Sequence, residues 1–241
     1  GGAPPTPWNR AVSANRRFAM RTLRLADAQA VKKVFGVTVN DVVLAVCAGA
    51  LRRYLDDRGV LPGKPLVAMV PISVRQQADR GEFTNRVTGT TVPIHTDIAD
   101  PVDRLRAIHD SMAAAKELNE AIPATILTDV TEFVPPALAA QASRLSSRIR
   151  MADRMNPPFN LTISNVPGPR VPLYLGGAAM EHFYPVSVVA EGQGLNMTVQ
   201  SYLDNLDFGL VADRDLVPDL WDLCDGLSAA MDELLALAKE A

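Results

Sequence analysis

Histidine and cysteine are scarce in this 241-residue chain, and each stands alone. His95, His109 and His182 make no H-E-x-x-H, and Cys47 and Cys224 make no C-x-x-C, so no local metal pattern is present and no cofactor is expected. Both cysteines sit in helical apolar patterns and read as reduced core thiols in a reducing compartment. There is no G-x-S-x-G elbow and no P-loop. Gly192-Gln193-Gly194 precedes a strand pattern rather than a helix, so it is no dinucleotide fingerprint. Aromatics make up 5%, the net charge is −3 and no Lys/Arg block forms a stripe, which argues against a nucleic-acid partner. No window approaches the ~20 apolar residues of a membrane span, and no signal-peptide pattern opens the chain. An initial Met is also missing. Gly1-Gly2-Ala3-Pro4-Pro5-Thr6-Pro7 has linker composition and reads as the interior of a longer protein or the product of a cut in a loop; the first two residues also fit an engineered scar.

What the chain has is enough apolar sequence for a core. Hydrophobic residues make up 48% and charged ones 21%, in a length that suits one large or two small domains. After an extended lead-in over 1–15, Arg17 to Leu25 reads as a strand and Asp27 to Phe35 as a helix stopped by Gly36. A strong helix runs from Val42 to about Arg58, with Thr38 or Asn40 as its cap and Asp41 at the positive end of its dipole. Pro65 to Arg75 is a continuous apolar run, as in a strand buried on both faces. Gln76 to Thr84 is a polar loop. Val87 to His95 alternates as a strand whose Pro93 marks an end or an edge. Asp100-Pro101 opens a helix to about Leu118, with Val102, Leu105, Ile108, Met112 and Ala115 inward and His109 at the boundary. Helical stretches follow over 122–132 and 136–153, the second bearing arginines that read mainly as a solvated face.

Phe159 to Ile163 then alternates as a strand and runs into Ser164-Asn165-Val166-Pro167-Gly168-Pro169-Arg170. Pro167 cannot donate to a ladder, and Pro-Gly-Pro forces the chain out of regular structure. The strand therefore ends in a rigid corner with Ser164 and Asn165 at its mouth. Leu173 to Ala178 and Met180 to Val189 read as strand material broken by glycine, and His182 has no acid at catalytic spacing. Gly192 to Leu203 and Leu206 to Ala212 form a hairpin about Asp204-Asn205. An amphipathic helix closes the chain from Asp213 to Glu240, with Pro218 splitting off a first turn. Together these elements predict an α/β fold, a mixed sheet covered by helices.

Thr38-Val39-Asn40-Asp41-Val42-Val43-Leu44-Ala45, Val70-Pro71-Ile72-Ser73-Val74-Arg75, Asn85-Arg86-Val87, Ser164-Asn165-Val166-Pro167-Gly168-Pro169 and Tyr184-Pro185-Val186-Ser187 occur in this order. The ordered set resembles the C-terminal half of the bacterial wax ester synthase/acyl-CoA:diacylglycerol acyltransferase family, in its mycobacterial form. The resemblance implies a chloramphenicol acetyltransferase-like fold, with 1–15 as interdomain linker and 16–241 as the C-terminal domain. It implies transfer of a fatty acyl group from acyl-CoA to diacylglycerol or a long-chain alcohol, by a histidine of an HHxxxDG motif acting as general base. That motif is absent here, so the base is expected on an N-terminal half, as a separate or cleaved chain, and this chain alone is expected to be inactive. By the same resemblance Asn40 and Asp41 support the active centre. Arg75, Asn85, Ser164, Asn165, Gly168, Gln200, Ser201 and Tyr202 contact substrate or CoA. Each of these also suits an ordinary cap, turn or hairpin role. The lipid substrates imply a cytoplasmic protein peripheral to the inner membrane or lipid droplets. Two other readings are a non-catalytic lipid- or partner-binding module and a condensation-type domain that uses carrier-bound thioesters.

Overall fold

The structure, a computed structural model, describes residues 2–73, 87–121, 152 and 156–241. In chain order its elements are β1 (Arg16–Arg24), α1 (Leu25–Phe35), α2 (Val39–Asp56), β2 (Val67–Ser73), β3 (Val87–Pro93), α3 (Pro101–Ala121), β4 (Leu161–Val166), β5 (Tyr174–Leu175), β6 (Ala178–Ala179), β7 (Leu195–Tyr202), β8 (Asn205–Asp213) and α4 (Leu220–Glu240). The expected helical stretches 122–132 and 136–153 and the polar loop 76–84 lie outside the described residues.

Six strands form one mixed sheet in the order β1-β8-β7-β4-β2-β3. β4 runs parallel to both β2 and β7, while β1–β8, β7–β8 and β2–β3 are antiparallel. β3 is thus an edge strand, and Pro93 is its last residue, where a missing N–H costs no ladder bond. Alternation assigns the faces. Ala19, Leu23, Ala68, Val70, Leu161, Ile163, Met197, Val199, Phe208 and Leu210 join α2 and α4 in one core. Two pairs of small residues let α2 and α4 approach: a Cβ on Gly49 would stand 2.8 Å from that of Ala230, and one on Gly226 3.2 Å from that of Ala50. Cys47 and Cys224 are buried in this layer as free thiols, and burial pushes both up to about 12.

Most boundaries follow the local signals. Gly36 stops α1 in the left-handed conformation (φ 69°), and Asp100 Oδ1 accepts from the amides of Val102 and Asp103 to cap α3. Three expectations change. The hairpin turn is Leu203-Asp204, one residue earlier than expected, because Tyr202 pairs with Asn205. α4 begins only at Leu220, because Asp213 ends β8 and its Oδ1 accepts from the amides of Asp215 and Leu216 in the intervening turn. Met180 to Val189 is not a strand. The segment is a strap tied down by side chains: Asp207 Oδ2 accepts from Phe183 N at 2.7 Å, and the Pro185 carbonyl lies against Gly209 so closely that a Cβ there would meet it at 1.8 Å. A strap held this way has no neighbouring strand to ladder with.

The lead-in, expected as an extended linker, is built into the domain. Trp8 is fully buried, with its ring 6.4 Å from that of Tyr54 and its Nε1 donating to the Asn160 carbonyl at 3.0 Å. The Asn160 amide donates to Pro4 O and Asn9 Oδ1 and accepts from Val67 N, which joins the lead-in to β2 just before β4 begins. An indole of this size carries too much apolar surface to leave in water when a core is within reach.

Candidate active site

The site starts with the cap of α2. Thr38 Oγ1 accepts from Asp41 N at 3.2 Å, and Asp41 Oδ2 accepts from Thr38 N at 2.8 Å, a reciprocal capping box. Asp41 is buried, and the same Oδ2 lies 2.7 Å from His109 Nδ1 on α3. One carboxylate therefore closes the first turn of α2 and ties it to α3. The residue before it, Asn40, reaches the end of β4, where its Oδ1 accepts from Asn165 Nδ2 at 3.2 Å. Replacing Asp41 by Ala should lower unfolding stability by about 1–2 kcal/mol, since it removes a cap and takes the partner from the Thr38 amide and the half-buried His109 imidazole. Asn at this position should recover part of the loss. An unchanged denaturation midpoint for the Ala variant would show that the carboxylate holds nothing together.

Beyond Asn165 the chain turns at Pro167-Gly168-Pro169 and lies against the β7–β8 hairpin. Gly168 N donates to Ser201 Oγ at 3.1 Å, and a Cβ on Gly168 would stand 1.9 Å from the Ser201 carbonyl oxygen. The corner and the hairpin wall an open groove of about 1060 Å³. It lies at the carboxyl ends of the parallel strands β4 and β7, where α/β sheets characteristically take their ligands.

The expected site residues divide by sheet face. Asn165, Gly168 and Ser201 line the groove, and Asn40 joins through Asn165. Ser164, Gln200 and Tyr202 do not line it, because a strand alternates faces and their neighbours Asn165 and Ser201 take the groove side. Tyr202 is buried instead, its hydroxyl donating to Met180 O and accepting from Leu173 N, so it anchors the β5–β6 segment rather than a substrate. Arg75 and Asn85 lie outside the described residues.

Two histidine–carboxylate pairs were not visible in sequence. His109 meets Asp41 across 68 positions, and His182 Nδ1 lies 3.1 Å from Oδ1 of the fully buried Asp207, 25 positions away. Thr22 Oγ1 donates to the same Asp207 oxygen at 2.6 Å and lies 2.8 Å from the Tyr184 hydroxyl. The second pair is an anchor for the strap. Helical periodicity put His109 at a boundary but could not say what it would face. Neither histidine lines the groove, so among the described residues the groove offers the Asn165 amide, the Ser201 hydroxyl and the Asp204 carboxylate as polar groups, but no histidine.

The sequence matches the family described as WS/DGAT C-terminal domain over residues 83–235. Residues 2–43 match the wax ester synthase/diacylglycerol acyltransferase catalytic domain. Two putative diacylglycerol O-acyltransferases of Mycobacterium tuberculosis are 42% and 44% identical to it, each over 97% of this chain and over 46% and 51% of their own lengths. The chain thus spans about half the length of the curated relatives it matches. Among solved structures, the wax ester synthase/diacylglycerol acyltransferase from Marinobacter aquaeolei VT8 superposes with a TM-score of 0.80 at 35% identity, over 98% of this chain and 53% of that one. An epimerization domain of tyrocidine synthetase B shares the fold alone, with a TM-score of 0.57 at 10% identity, over 96% of this chain and 50% of that one.

Proposed function

Because the chain belongs to the wax ester synthase/diacylglycerol acyltransferase family, we propose that it forms the C-terminal half of an O-acyltransferase. The enzyme moves a fatty acyl group from acyl-CoA to diacylglycerol or a long-chain alcohol. The observation that carries this reading is the groove at the ends of β4 and β7, where Asn40 and Asn165 form a polar centre and no histidine is among the described lining residues. A histidine on the N-terminal half takes the proton of the acceptor hydroxyl. The freed oxygen attacks the thioester carbonyl, the carbon–sulfur bond breaks, and CoA leaves as the thiol after accepting that proton. The Asn40–Asn165 pair holds the hydroxyl or the carbonyl in place; orientation of this kind contributes several kcal/mol of the order found for preorganised reactants. The thioester brings its own activation, so the reaction needs no cofactor.

The N-terminal half has a surface to meet. Leu175 of the β5–β6 hairpin and Val186 and Val188 of the strap are 87%, 74% and 81% exposed, and Val171 and Tyr174 are exposed as well. Large exposed apolar side chains gathered in one region mark an interface. Among the described residues no single helix is long and apolar enough to cross a membrane. The lipid acceptors place the assembled enzyme at the surface of the inner membrane or a lipid droplet, on the cytoplasmic side.

The test is reconstitution. The chain is co-expressed with an N-terminal half that carries HHxxxDG, and acyl transfer from palmitoyl-CoA to diolein and to hexadecanol is measured. We expect no turnover with either half alone and turnover with both. A stable two-chain complex that binds lipid but transfers nothing would replace the reading with a non-catalytic binding module.

A further inference from the structure

We propose that Lys32, Lys33 and Arg170 form the anchoring site for the phosphates at the nucleotide end of the acyl donor. The proposal rests on the acyltransferase reading and assigns a donor subsite to a part of the groove that reading leaves unused. The three cations come from two separate elements, the last turn of α1 and the residue that follows the Pro167-Gly168-Pro169 corner, yet all line the groove that contains Asn165. None is ion-paired among the described residues, and the groove's one acidic lining residue among them is Asp204. Lysines in a last helical turn also complement the helix dipole, which accounts for Lys32 and Lys33 as helix chemistry. It does not account for Arg170. A rigid corner carries that guanidinium to the same groove, and guanidinium suits bidentate contact with phosphate oxygens.

The rest of the lining fits the same ligand. Leu25, Val39 and Leu206 give the same groove apolar wall beside the cationic residues and the amide of Asn165. A molecule with a polyanionic end, a slender arm and a reactive thioester matches that combination of surfaces. A CoA thioester and a carrier-bound phosphopantetheine share the arm and one phosphate. The nucleotide end, with its additional phosphates, belongs to CoA alone, and the gathering of more than one cation favours it.

The experiment is isothermal titration of the 241-residue chain with CoA, adenosine 3′,5′-bisphosphate, phosphopantetheine and inorganic phosphate, at low and high salt. CoA and the bisphosphate should bind, both more weakly as salt rises. The Lys32→Glu/Lys33→Glu/Arg170→Glu variant should lose about tenfold or more in affinity for both, since exposed contacts of this kind are individually small and act together. All three side chains are exposed, so its melting temperature should stay near that of the parent; if the triple variant does not fold, Arg170→Gln is titrated instead and should show a smaller loss. Lys64→Glu, outside the groove, should change nothing. Failure of the parent to bind CoA, equal binding by the variants, or phosphopantetheine binding as tightly as CoA would each overturn the assignment. A reconstituted enzyme that binds CoA in this way and transfers no acyl group would count against the proposed reaction and not against the phosphate site.

Discussion

Alanine at Gly168 should cut acyl transfer by the reconstituted enzyme on the order of 100-fold, the loss expected when a reacting group is displaced by about an ångström. The cause is steric. The added Cβ would stand 1.9 Å from the Ser201 carbonyl oxygen and 3.1 Å from its carbon, and both are backbone of β7 rather than the movable tip of a side chain. The corner must lift from the hairpin. Lifting breaks the bond from Gly168 N to Ser201 Oγ and draws Asn165, three residues back on β4, away from Asn40. The clash itself should destabilise the fold by about 1–3 kcal/mol, the usual scale for overpacking. A stability loss alone would not identify a site, so the informative comparison is turnover at a temperature where the variant is still folded. Gly63→Ala is the control, because a Cβ there meets nothing within 4 Å; it should change stability by less than about 0.5 kcal/mol and leave turnover intact. Parent-like turnover in a folded Gly168→Ala enzyme would remove the corner from the catalytic geometry.

Alanine at Trp8 should lower unfolding stability by about 3–5 kcal/mol, the scale for removing a buried indole. At this chain length that is a fall in melting temperature of roughly 10 °C or more. Trp8 is fully buried against Tyr54, and its Nε1 shares the Asn160 carbonyl with Asn9 Nδ2. Loss of the ring opens a cavity and leaves the lead-in attached mainly through polar bonds. Deleting residues 1–9 should therefore cost at least as much as the point substitution. A truncated chain with the parent's melting temperature would return the segment to the role of a linker. Thermal unfolding followed by circular dichroism decides both cases.

The segment is instructive because its composition misleads. Pro4, Pro5 and Pro7 predict extended backbone, and the backbone is indeed irregular there. Extension says nothing about burial, however, and the single large aromatic in the segment was the better guide to where it would go. A comparable separation holds at the strap. The aromatic and β-branched residues over 180–189 suggest strand, but a strand needs a partner ladder, and this segment is held by Asp207, Thr22 and the close fit of Pro185 on Gly209. At the groove, the two-residue period alone separates Asn165 and Ser201 from Ser164, Gln200 and Tyr202 once one face is known to be the groove side. Choosing that face required the packing of α2 against β4.

The sequence by itself determined what short-range chemistry determines: where α1 stops at Gly36, that α2 is capped at Thr38 or Asn40, where β4 must end at Pro167, and, through the ordered motifs, the family. These features depend on steric limits and hydrogen bonds that act within a few residues. Tertiary structure decided which polar groups meet. Asn40 reaches Asn165 across 125 positions, Asp41 reaches His109 across 68, and Gly168 reaches Ser201 across 33. Those meetings depend on how the whole sheet and its helices bury their apolar faces together, a collective result that no local pattern encodes.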